Sequence, residues 1–97
     1  MDGIYEISTN TPMGRINGRV FLKSNGENLS GTLEIMGMRN DLGPGRVRGN
    51  QCYFKGSIRN NSLNIEYEVM GQLQRNILDI YAKTNFGEFK LQGRKIG

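Results

Sequence analysis

Glycine and asparagine fill 25 of the 97 positions and recur every eight to twelve residues along the chain. Between these breaks no stretch carries an i, i+3, i+4, i+7 apolar stripe with a cap, so no amphipathic helix has room to form. Short runs rich in β-branched and aromatic residues between turn-formers read as an all-β protein.

The alternation within the runs is period two. In LNIEYEVM, Leu63, Ile65, Tyr67 and Val69 share one face, opposite Asn64, Glu66, Glu68 and Met70. The same parity aligns Ile16, Gly18, Val20 and Leu22, then Leu29, Gly31, Leu33 and Ile35, then Cys52, Phe54, Gly56 and Ile58. Leu78, Ile80 and Ala82, and then Phe89 and Leu91, continue it. Each run is a strand with one buried and one wet face. The pattern predicts eight strands, at 3–9, 14–24, 28–37, 44–48, 51–59, 62–71, 75–84 and 87–95. Asn25-Gly26 predicts a type I′ hairpin turn, with further turns at Asn60-Asn61, Gly49-Asn50, GQLQRN and TNFGE. Short links make consecutive strands antiparallel neighbours. Residues 1–97 are therefore expected to form a single domain, a small eight-stranded up-and-down barrel of lipocalin or calycin type, with a flattened β-sandwich as the alternative. GRVRG at 45–49 returns as GRKIG at 93–97, which suggests two four-strand halves.

The stretch MGMRNDLGPGRVRGN, residues 36–50, looks at first like a phosphate loop. A dinucleotide fingerprint needs a strand before it and a helix after it, and QCYFKGSI, which follows, is a strand. No Lys-[Ser/Thr] completes a P-loop. Gly43-Pro44-Gly45 instead suits a bulged or edge-like strand, an irregular corner near the barrel mouth. Met36, Met38, Arg39, Arg46 and Arg48 would then line an opening fit for an anionic or mixed apolar ligand. Tyr5 and Tyr67 fall on the inward parity and join that candidate set, although a core tyrosine with its hydroxyl at the rim is the commoner arrangement. The inward small residues Gly18, Gly31, Gly37, Gly56, Gly71, Ala82 and Gly93 leave two readings open, a hollow barrel or a tightly coiled, filled one.

The chain has no histidine and one cysteine, Cys52. That removes imidazole bases, His-dependent triads, an internal disulfide and a structural zinc site. Asp2, Asp41 and Asp79 are far apart in sequence, so no carboxylate cage for a divalent cation is expected. No metal, no cofactor and no catalytic residue is assigned. Without histidine a catalyst would rely on Tyr5, Tyr67, Cys52 or Glu66, and a non-enzyme is expected. No window approaches the length of a membrane span and the first ten residues lack a signal-peptide pattern, so a cytoplasmic protein away from membranes is expected. The net charge of +4 mildly favours an anionic partner.

On the outward parity, Tyr53, Met70, Ile77 and Tyr81 fall on three neighbouring strands. An apolar patch of this kind points to a homodimer interface, against scattered surface side chains. Phe21 between Arg19 and Lys23 is similar to the aromatic and basic surfaces that stack single strands.

Thr11-Pro12-Met13-Gly14, the unit Gly26-Glu27-Asn28-Leu29-Ser30-Gly31-Thr32-Leu33 and Phe89-Lys90-Leu91-Gln92-Gly93 resemble motifs of small bacterial all-β proteins, many of them clostridial. The resemblance covers nearly the whole chain. It implies a lipocalin-like plan and brings no assigned activity. Residues 38–48 depart from that group, in which a Phe or Pro-Phe precedes the G-x-V-x-G unit.

The function expected from the sequence is non-catalytic binding of a small molecule, with the net charge favouring an anionic one, in or at the mouth of the barrel. The alternatives are a nucleotide or single-stranded nucleic-acid module on a basic face, and a homodimeric structural subunit.

Overall fold

The computed structural model describes the chain except Pro12, Met13, Met36 and Asn61, and except the side chains of Thr11, Asn60 and Leu63. The candidate ligand contact Met36 therefore lies outside the described residues. Eight antiparallel strands close into a barrel in chain order: β1 Gly3–Thr11, β2 Gly14–Asn25, β3 Asn28–Ile35, β4 Met38–Arg48, β5 Gln51–Asn60, β6 Leu63–Gln74, β7 Ile77–Thr84 and β8 Gly87–Lys95. The up-and-down barrel expected from the alternation is the fold, and the flattened sandwich is not.

Two boundaries differ from the sequence expectation by three residues or more, and the others lie within two residues of it. β4 begins at Met38, six residues before the expected start, so most of the glycine-rich stretch is strand. The register between β3 and β4 shifts between Leu29–Gly45 and Gly31–Leu42, which sets Gly43 and Pro44 against Ser30. Pro44 has no N–H to give a ladder, and the bulge is the place where none is required. β6 runs on to Gln74, leaving only Arg75 and Asn76 as loop. The β2–β3 loop is Gly26-Glu27, one residue later than expected. Only its first position has positive φ, 64°, which is the type II′ pattern and not type I′. Gly37, expected to face inward, sits in the β3–β4 turn.

The barrel is laced at one end and looser at the other. The laced end holds the Gly26-Glu27, Gly49-Asn50 and Arg75-Asn76 loops. There the N–H groups of Val47, Leu73 and Lys95 donate to the carbonyls of Glu27, Asn50 and Asn76 at 2.8–2.9 Å. The β4–β5 ladder covers only Gly45–Arg48, and the β1–β8 ladder only Tyr5–Ser8, both toward this end. The core gathers here too: Tyr5, Val20, Leu22, Leu29, Cys52, Phe54 and Leu78 are buried. Each such aliphatic or aromatic side chain contributes about 1.5–3 kcal/mol by leaving water. Toward the other end β1–β4 and β5–β8 continue as two leaves, and Ile16, Ile35, Ile58 and Ile65 are half-buried. Phe89, inward by parity, is 47% exposed because its half of β8 lies beyond the β1 ladder.

The two leaves repeat one another. Tyr5–Val20–Leu33–Asn40 pair in sequence across β1–β4, and Phe54–Val69–Ala82–Phe89 pair in the same way across β5–β8, each residue 49 later. The Gly26-Glu27 loop returns as Arg75-Asn76 at the same spacing. After the bulge the spacing falls to 48, so Gly45 corresponds to Gly93. The outward rows Glu6–Arg19–Glu34–Arg39 and Lys55–Glu68–Lys83–Glu88 occupy equivalent places as alternating charge ladders of opposite phase. Cross-strand opposites of this kind stabilise the sheet whichever sign leads.

Candidate functional site

Facing side chains occupy the space over the inward glycines. A Cβ on Gly45 would lie 2.4 Å from the Phe54 ring, and one on Gly71 would lie 2.7 Å from Cys52 Sγ. Over Gly56 it would meet the Tyr67 hydroxyl at 2.8 Å, and over Gly93 it would meet Ile7 at 3.1 Å. These glycines are small because large cross-strand neighbours fill the layer, the arrangement of a tightly coiled barrel. Among the described residues no buried side-chain nitrogen or oxygen lacks a hydrogen-bond partner.

The two inward tyrosines use their hydroxyls within the protein. Tyr5 is fully buried and donates to the Met1 carbonyl at 2.8 Å; burial raises its phenol above the ordinary value. The Tyr67 hydroxyl accepts the Gly43 N–H at 2.6 Å. Cys52 is buried against Gly71, and burial pushes its thiol up, away from the thiolate needed for chemistry. The remaining mouth candidates do not converge. Met38 is 49% exposed at the looser end, and the Arg39 guanidinium sits 5.6 Å from the centre of the outward Phe21 ring. Arg46 and Arg48 point outward from the far half of β4.

It is on the outer wall that residues of both candidate sets meet. Arg46, Tyr53, Met70, Tyr81 and Lys90 are successive direct cross-strand partners on β4, β5, β6, β7 and β8. Direct partners place side chains in one line across the strands, with about 4.8 Å between neighbours. Ile77 is not in the line. It faces Gln74 and Arg94, with Asp79 between it and Tyr81 on β7. The line crosses a broad open depression of about 1170 Å³, which also takes in Arg15 and Arg48 and the acids Glu27 and Asp79.

Carboxylates fix the two rings of the line. Tyr53 donates to Glu68 Oε2 at 2.9 Å, and Tyr81 hydrogen-bonds Glu88. Each bond favours the protonated phenol, so both groups lie above the ordinary tyrosine value. Lys83 Nζ lies 5.9 Å from the Tyr81 ring centre. Met70, between the rings, is 41% exposed. On the next row Gln92 donates to Asp79 at 2.9 Å. The equivalent row of the first leaf is Ile4–Phe21–Thr32–Asp41, with no cation at its β4 end.

Sequence reading had placed Arg46 in a ligand mouth and Tyr53 in an interface. Lys90 was missed because its parity alone marks an ordinary surface lysine. Only the β7–β8 register, Tyr81 against Lys90, reveals its place. Among the described residues no group of three His, Cys, Asp or Glu side chains is arranged to hold a metal ion. No family model, no curated protein and no solved structure matches this chain.

Proposed function

We propose that this is a non-catalytic binding protein whose ligand is anionic, carries a flat apolar group, and docks on the outer wall of β4–β8. The observation that carries this reading is the line Arg46–Tyr53–Met70–Tyr81–Lys90, aromatic and apolar in the middle and cationic at both ends. Filling of the layer by Phe54, Tyr67 and Cys52 over Gly45, Gly56 and Gly71 argues against an internal ligand. The outward charge ladders are unlike the apolar band of a membrane barrel, and a single buried thiol fits a reducing, cytoplasmic setting.

A second copy of the chain is the competing occupant of this wall, and the exposure of Met70 favours it. The two readings separate in one titration. Binding is read by isothermal titration calorimetry, because two of the four tyrosines, Tyr5 and Tyr67, lie in the core and the other two are the residues to be replaced. Thymidine monophosphate is expected to bind the wild type, and the double variant Tyr53→Ala/Tyr81→Ala is expected to lose binding. Saturable binding that survives the double variant contradicts the proposed site. Absence of binding, with a dimer that the double variant dissociates, assigns the wall to self-association.

A further inference from the structure

We infer that the ligand of this wall is single-stranded nucleic acid, an inference that rests on the binding reading above. The line runs across the strands for about 19 Å, four strand spacings, and Tyr53 and Tyr81 are about 10 Å apart within it. A polymer crossing the sheet meets a cation, a ring, a thioether, a second ring and a second cation in turn. Base faces stack on tyrosine whatever the base, and phosphates need cations beside the stack.

Both phenol hydroxyls are already engaged by Glu68 and Glu88. The rings therefore have no hydrogen-bonding tip to offer, which suits stacking without sequence readout, and Lys83 Nζ, 5.9 Å from the Tyr81 ring centre, has to yield that face for a base to stack there. The two acids are no barrier to a polyanion. They alternate with Lys55 and Lys83 in a ladder of zero net charge. Arg48 and Arg15 extend the positive border on either side, against Glu27 and Asp79, and the Asp79 carboxylate is held by Gln92. The charge of the whole chain, +4, has the sign such a partner requires.

The first leaf is an internal control. It has the same strands and register, yet Asp41 stands where Lys90 stands and Phe21 is the single ring of its row, with Ile4 and Thr32 in the places of Tyr53 and Tyr81. Binding should therefore depend on the line from Arg46 to Lys90 and not on the Phe21 row.

The test is fluorescence anisotropy with labelled oligothymidylate and oligouridylate of about ten residues, beside thymidine monophosphate and a duplex of equal length. Expected results are single-strand binding at least tenfold tighter than the monophosphate and tighter than the duplex, weakening with salt as if about three phosphates were neutralised. Tyr53→Ala/Tyr81→Ala should weaken it at least tenfold, Arg46→Glu/Lys90→Glu should flatten the salt dependence, and Phe21→Ala should change nothing. All these positions face outward, and circular dichroism checks that each variant is folded. Oligonucleotide binding no tighter than the monophosphate overturns the inference and leaves the small-ligand reading standing. Binding that ignores the tyrosines, or that prefers duplex, also overturns it. Binding of none of the probes defeats both readings.

Discussion

The Tyr67 hydroxyl accepts the backbone N–H of Gly43 at 2.6 Å, joining β6 to β4 over Gly56 of the strand between them. The bond falls where the β4–β5 ladder has ended, since that ladder stops at Gly45–Phe54. A phenol supplies the acceptor that a neighbouring strand no longer gives. Tyr67→Phe should cost about 1–2 kcal/mol in chemical denaturation, with faster hydrogen exchange at Gly43. Unchanged exchange at Gly43 would show that the bond does not hold the leaves together.

The contact between Gly71 and Cys52 should behave as a coupled pair. Gly71→Ala adds a methyl 2.7 Å from Cys52 Sγ and is expected to cost about 1–3 kcal/mol as overpacking. In a Cys52→Ala background the same substitution should cost less by about 1 kcal/mol or more. Additive costs would mean that the layer is loose at this point, and would reopen the hollow barrel.

Arg75 is the only non-glycine with positive φ among the described residues, 58°, and Gly26 fills the corresponding place in the first leaf. Arg75→Gly removes a left-handed penalty of about 1–2 kcal/mol and returns part of it through a freer unfolded chain. A net gain of about 0.5–1 kcal/mol in thermal or denaturant unfolding is expected. A loss would mean that the Arg75 side chain contributes more than its backbone costs.

The barrel was legible in the sequence because its inward faces keep strict parity: Ile65, Tyr67 and Val69 could face only one way. The duplication was half-legible. GRVRG and GRKIG align at a spacing of 48, while every strand before the bulge aligns at 49, so the Gly43-Pro44 insertion hides the repeat from a fixed-period comparison. The site was less legible still. Parity shows that Tyr53, Met70 and Tyr81 face outward, but their alignment with Arg46 and Lys90 is a matter of register across five strands. It depends on a β6 longer than its turn residues implied, which sets Met70 against Tyr81. The ligand set spread over Met38, Arg39, Arg46 and Arg48 failed to converge for a related reason. The stretch read as a corner is mostly extended strand, and its ends lie far apart.

Alkaline titration reads the carboxylate bonds of Tyr53 and Tyr81. Tyr53 and Tyr81 are raised above the ordinary tyrosine value of 10.0 by their bonds to Glu68 and Glu88. A raised folded-state value means that the stability these bonds add is complete below the unfolded value and is lost as pH climbs through the folded one. Glu68→Gln should bring Tyr53 back toward 10.0 in tyrosinate absorbance and leave Tyr81 in place. A Tyr53 that does not respond would mean that its hydroxyl is not tied to Glu68 and that the ring is free to leave the line.

Methionine methyl NMR tests the central claim most directly, because the chain carries a reporter in each competing place. Met70 lies in the outer line, Met38 at the looser end of the barrel, and Met1 against the core. With oligothymidylate added to methyl-labelled protein, the Met70 resonance is expected to shift and saturate while those of Met1 and Met38 stay fixed. A saturating shift of Met38 or Met1 with Met70 unmoved would place the ligand in the mouth or the interior and contradict the outer-wall site.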